Sequence, residues 1–172
     1  MSRFSDWYKR WRHGHGFGVH SPFAYRMVRE VLRPSHDTGY YAYEDLARAR
    51  RHHPALISAR ETELLYRILV DLRPASVGIA SDEPTSLIEY IVRLALPHSA
   101  ITDCCEAEML ICCGKTIPAD ATPKIAYFTD SKNPLIANLW QLSSNCQLYT
   151  NLSRALLINN PSIAKQRFDI KF

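Results

Sequence analysis

Residues 76–96, SVGIASDEPTSLIEYIVRLAL, constrain the fold more than any other stretch: a buried strand (residues 77–80) runs through a short turn into an amphipathic helix. The helix presents Leu87, Ile88, Ile91, Leu94 and Ala95 on one side and stops before Pro97, the pattern of a helix laid on a core. A strand feeding directly into a helix is the unit of an open α/β sheet. In such sheets the first strand-to-helix turn is where a nucleotide-like cofactor sits, because glycines let the backbone approach it and helix amides face it. Here the turn reads Ala80-Ser81-Asp82-Glu83-Pro84-Thr85, without a glycine.

The flanking segments extend the same architecture. Leu64, Leu65, Ile68, Leu69 and Leu72 predict an amphipathic helix over residues 61–72,. Residues 100–104 read as a second strand, followed by a short helical or irregular piece up to Gly114, and residues 124–129 (KIAYFT) as a third strand. A helix is predicted over residues 134–142, burying Leu135, Ile136, Leu139 and Trp140. The strand-like runs 146–150 and 155–158, separated by Asn151-Leu152-Ser153-Arg154, predict an antiparallel hairpin, and residues 166–172 alternate as a strand does,. A mostly parallel sheet with an antiparallel C-terminal hairpin is therefore expected, preceded by N-terminal helices. A chain of 172 residues forms one compact unit by default,. It divides into a helical extension, residues 1–60, and an α/β domain, residues 61–172.

The first third has its own chemistry. Phe4, Trp7, Tyr8 and Trp11 fall at i, i+3, i+4 and i+7, gathering four rings on one helical face,. Such a face must dock, either on its own domain or on a second subunit, with a membrane surface as a third option. Ser21-Pro22 is a helix start, with serine as cap and proline in the first turn; that helix runs to about Leu32 and buries Phe23, Met27, Val28 and Val31. A charged helix follows over residues 44–53. Arg10, Arg12, Arg48, Arg50 and Arg51 contribute to a basic N-terminal third, read either as a solvated surface or as a contact for nucleic acid or an acidic partner,. His13, His15 and His20 lie in a glycine-rich stretch without a nearby carboxylate or thiolate, which argues against a metal site,. The five cysteines, Cys104, Cys105, Cys112, Cys113 and Cys146, are odd in number and read as reduced thiols,. Adjacent cysteines in a strand point to opposite faces and do not share an ion. The N-terminus lacks an apolar signal core and no apolar run is long enough for a membrane span, so a cytoplasmic location is expected.

Three stretches resemble the class I S-adenosylmethionine-dependent methyltransferases, in particular a bacterial branch with an N-terminal helical extension. Gly18-Val19-His20-Ser21-Pro22-Phe23, with the later Tyr40-Tyr41-Ala42-Tyr43-Glu44, is similar to that branch's N-terminal signature. Residues 64–80 are similar to its helix and first strand, and residues 164–172 to its closing strand. The resemblance implies an incomplete Rossmann-like, methyltransferase-type three-layer sandwich. If S-adenosylmethionine binds, it also implies contacts from Ser81, Asp82, Asp103 and Asp130.

The chain departs from the family where the cofactor is held. Gly78 or Ile79 stands in place of the acidic residue of the first strand, and Ser81, Asp82 and Thr85 in place of the glycines. Asp82 and Glu83 read as helix-end stabilisers. Asp103 falls one position before the expected ribose-binding acid, on the opposite face of the strand. The chain is also shorter than that branch, as though the family's third and fourth strands were lost, which predicts direct pairing of residues 77–80 with residues 124–129. The expectation is a non-catalytic methyltransferase-like domain without a cofactor. It would serve as a binding or oligomerisation module through Phe4, Trp7, Tyr8 and Trp11. The rivals are an active methyltransferase with a divergent pocket and a basic nucleic-acid or acidic-partner binder.

Overall fold

A computed structural model describes residues 21–34, 42–53, 57–114 and 121–172. Phe4, Trp7, Tyr8, Trp11, the three N-terminal histidines, Arg10, Arg12, Tyr40 and Tyr41 lie outside the described residues.

Ser21 starts the first helix, α1 (Pro22–Arg26), with its hydroxyl accepting from Ala24 N at 3.3 Å. The helix widens into a π-helical stretch, Met27–Leu32, closed by Arg33 N donating to Val28 O at 3.0 Å. Helix α2 (Tyr43–His52) follows, then α3 (Ala59–Leu72). Helix α3 begins two residues earlier than the apolar spacing predicts because Ser58 and Glu61 form a reciprocal capping box, which satisfies two otherwise orphaned amides,. It ends at Arg73, in the left-handed conformation (φ 46°), before Pro74. Arg26 and Asp71 form an ion pair between α1 and α3, and Gln147 Nε2 reaches the Ser21 hydroxyl at 3.3 Å. The serine of the N-terminal signature is thus tied to the sheet.

The strands are β1 (Ser76–Ser81), β2 (Ala100–Thr102), β3 (Met109–Cys113), β4 (Ile125–Phe128), β5 (Cys146–Thr150), β6 (Ala155–Asn159) and β7 (Gln166–Asp169). Helix α4 (Ser86–Ala95) joins β1 to β2, and α5 (Pro134–Leu142) joins β4 to β5. The described strands form one sheet in the order β2-β1-β3-β4-β6-β5-β7, in which β6 alone runs antiparallel to both neighbours. The hairpin expected from residues 146–158 is β5–β6.

Alternation along the strands sorts the core into two layers. Val77, Met109, Ile111, Cys113, Ile125 and Tyr127 face one side, where they pack with α1 and its π-helical continuation, α2, α3 and α4. Ala80, Leu110, Cys112, Ala126 and Phe128 face the other, with Leu135, Ile136 and Leu139 of α5. Cys112 and Cys113 accordingly point to opposite faces. No helix among the described residues is long and apolar enough to cross a membrane.

One sequence expectation is overturned. Residues 77–80 do not pair with residues 124–129, because β3 lies between them, with Ile79 opposite Ile111 and Ile111 opposite Tyr127. The piece expected to be helical or irregular, MLICC, is a central strand buried at every position. A short, continuous apolar run lacks the alternation that marks a half-exposed strand, which is why its periodicity is uninformative.

The connection into β3 is unusually direct. β2 and β3 flank β1 in parallel, so the chain leaving Thr102 must cross β1 before it reaches Met109, and it does so through residues 103–108 alone. Parallel crossovers usually need a dozen residues or more and a helix. Here the link lies on the β1 backbone at Gly78, where a Cβ would stand 2.8 Å from Cys104 Cα and 2.9 Å from Ala107 Cβ. Glycine at position 78 is what lets the short crossover pass. Glu108 then anchors it: its amide donates to Ser76 Oγ at 3.0 Å, while its carboxylate accepts from Ala75 N at 2.7 Å and Lys124 Nζ at 3.2 Å.

Candidate functional site

The order β2-β1-β3 places a switch in chain direction between β1 and β3, and in open α/β sheets ligands bind outside the carboxyl ends of the strands at such a point,. Ser81, Asp82, Asp103 and Asp130 all belong to this edge, following or ending β1, β2 and β4.

Ser81 is the last residue of β1, opposite Cys113, and its hydroxyl accepts from Glu83 N at 3.1 Å. Asp82 turns toward the end of β3. Gly114, at φ +96°, leaves the room: a Cβ there would lie 2.7 Å from Asp82 Oδ2. Asp103 follows Thr102, which pairs with Gly78, so it leaves the sheet short of the level of Ser81. Its Oδ1 accepts from Cys105 N at 2.9 Å, closing the first turn of the crossover. Asp130 Oδ1 accepts from Lys132 N at 2.9 Å, closing the turn before α5. Ser81, Asp103 and Asp130 each accept from the amide two residues on. Asp82 and Glu83 lie just before the helix; α4 begins at Ser86, its first-turn carboxylate is Glu89, and Thr85 Oγ1 donates to Glu89 Oε1.

Behind this edge lies a polar cluster that sequence reasoning missed. Glu61, in the first turn of α3, is buried and accepts from Arg154 Nε at 3.0 Å and from the Tyr127 hydroxyl at 3.2 Å. Arg154 arrives from the β5–β6 turn and Tyr127 from β4, so one carboxylate joins a helix start to two strands. The Ser58-x-x-Glu61 spacing was the available signal, since a capping box fixes where that carboxylate sits,. Burial, reinforced by the Glu61 charge, pushes the Cys113 thiol up to about 12, and burial with the neighbouring Cys113 does the same for Cys112. Tyr127 is driven well above the usual phenol range, first by burial and then by Glu61. Both shifts favour the protonated forms at neutral pH, so Cys113 and Tyr127 surround the ion pair as a neutral thiol and a neutral phenol,.

Arg48 pairs with Asp45 at 3.4 Å, and Arg50 has a buried guanidinium nitrogen without a hydrogen-bond partner among the described residues. Among the described residues, no three His, Cys, Asp or Glu side chains gather as a metal site. No protein-family model, curated protein or solved structure matches this chain.

Proposed function

We propose that this chain is a shortened methyltransferase-like α/β domain that does not carry out methyl transfer and acts as a binding or assembly module. The sheet order supports the ancestry. β2-β1-β3-β4 corresponds to the 2-1-4-5 part of the Rossmann order 3-2-1-4-5-6,. In this reading β3 is the family's fourth strand, and the third, with its helix, has given way to the crossover of residues 103–108.

The observation that carries the loss of catalysis is the position of Asp82 against Gly114. A misfit to S-adenosylmethionine is supported by the carboxylate of Asp82 at the switch point, by Pro84, which offers no N–H, and by the Glu83 amide, which donates to the Ser81 hydroxyl. Methyl transfer depends on holding donor and acceptor in line, so a turn that cannot position the donor removes most of the catalysis. Assembly is assigned to the aromatic stripe of Phe4, Trp7, Tyr8 and Trp11, docking on a second copy or a protein partner.

Calorimetric titration of the full chain with S-adenosylmethionine and with its demethylated product tests this reading. No saturable heat is expected with either; binding in the micromolar range would overturn it and favour an active enzyme with a divergent pocket. Sedimentation of the full chain beside a variant carrying serine at the four aromatic positions tests assembly, and an unchanged mass would count against self-association.

A further inference from the structure

A cleft of about 600 Å³ opens between the end of the π-helical stretch, the first turns of α3, the β5–β6 turn and the C-terminal residues. Five cationic side chains line it, Arg33, Arg60, Arg67, Arg154 and Lys171, against one acidic side chain, Glu63, and the main-chain oxygen of Phe172, which accepts from Asn151 Nδ2 at 2.8 Å. Arg60, Glu63, Leu64 and Arg67 are at i, i+3, i+4 and i+7, so a single face of α3 forms one wall,. Arg154 is neutralised by Glu61. Among the described residues, no ion pair within 4 Å engages Arg33, Arg60, Arg67, Lys171 or Glu63.

Arg67 is the decisive member. It is only 8% exposed, yet its partners are uncharged: Nε donates to Val31 O at 2.9 Å and one terminal nitrogen donates to the Tyr43 hydroxyl at 3.0 Å. A nearly buried guanidinium without a counter-charge is costly unless something anionic compensates it. Its Val31 partner belongs to the π-helical stretch, a rare backbone form that is frequent at functional sites,. Packing α1 and α2 onto α3 accounts for these two hydrogen bonds. It does not account for three further cations converging on the same hollow.

We propose that this cleft binds a small, multiply charged phosphate compound, with Arg67 at its base and Arg33, Arg60 and Lys171 around its mouth. Its volume falls within the range of small-molecule pockets. A concave hollow with an apolar wall at Leu64 suits a phosphorylated metabolite better than a nucleic-acid backbone, which needs a long charged track,. The site shares no residue with the Asp82 turn, so it stands or falls independently of the methyltransferase reading.

The test is titration of the full chain with inorganic pyrophosphate and tripolyphosphate, with a short single-stranded oligonucleotide in parallel. One-to-one polyphosphate binding is expected, weakened by about tenfold in Arg60→Gln and again in Arg60→Gln/Lys171→Gln, the size of a lost charge-assisted hydrogen bond. Both positions are exposed, so the variants should fold, and Glu63→Gln should tighten binding. Arg67→Lys tests the buried cation while keeping the charge; it should weaken binding because lysine lacks the planar fork. No saturable polyphosphate binding, binding insensitive to Arg60 and Lys171, or oligonucleotide binding tighter than that of both polyphosphates would overturn the proposal.

Discussion

Asp82 and Gly114 share one small space at the ends of β1 and β3: a Cβ on Gly114 would lie 2.7 Å from Asp82 Oδ2, and Gly114 itself sits at φ +96°. Gly114→Ala puts a side chain on a left-handed backbone, at a cost of about 1–3 kcal/mol, whereas the Asp82 carboxylate, the far end of an exposed side chain, can turn aside,. Asp82→Ala should be tolerated, since Asp82 is exposed. In the double variant the backbone penalty therefore remains, with a coupling below about 0.5 kcal/mol. Urea unfolding of the four proteins measures it, and a Gly114→Ala loss largely rescued by Asp82→Ala would contradict this.

Gly78 carries a separate burden. Its crossover neighbours are backbone and a Cβ, Cys104 Cα at 2.8 Å and Ala107 Cβ at 2.9 Å, which cannot swing aside as a long side chain can. Gly78→Ala should cost about 1–3 kcal/mol as overpacking, and Gly78→Val more. Denaturation midpoints read this directly. A neutral Gly78→Ala would mean that residues 103–108 do not cross on β1.

The buried pair of Glu61 and Arg154 predicts an asymmetric mutant series. Glu61→Gln keeps a capping side chain but leaves Arg154 without its counter-charge, a loss of about 3–5 kcal/mol,. Glu61→Gln/Arg154→Met should recover much of that loss, because the stranded charge is gone. Tyr127→Phe removes one hydrogen bond and should cost only about 1 kcal/mol,. Equal losses in all three would contradict the ion pair as the organising contact.

The thiols give a pH dependence with a definite sign. Cys112 and Cys113 are raised from the ordinary 9.0 to about 12, so folding favours their neutral forms. The associated stability is fully present below pH 9.0 and is lost as the pH climbs toward about 12,. Cys112→Ala/Cys113→Ala should flatten the alkaline side of a stability-versus-pH curve. With a thiol reagent at mild pH, exposed Cys105 should react first, and buried Cys112, Cys113 and Cys146 only on unfolding,. Rapid native-state labelling of those buried thiols would contradict the packing.

Much of this architecture was legible because it rests on periodicity and punctuation. The helix over residues 134–142 lies between Pro134 and Leu142 as its apolar spacing requires, and the hairpin follows from two strand-like runs around Asn151. β3 was not legible, since MLICC is apolar throughout and its partners are distant in sequence. The missing glycines of the Asp82 turn could be read directly. What the sequence could not reveal was where that carboxylate goes, because Gly114 is separated from it by α4, β2 and the crossover. The clusters around Glu61 and Arg67 stayed hidden for the same reason: each is built from segments that only the tertiary fold brings together.

The proposed closure of the switch point is tested most directly by titrating S-adenosylhomocysteine into the isotope-labelled chain and following the backbone amides by NMR. The amides of Ser81, Asp82 and Gly114 should keep their positions at millimolar ligand. Saturable shifts centred on those three residues would contradict the account.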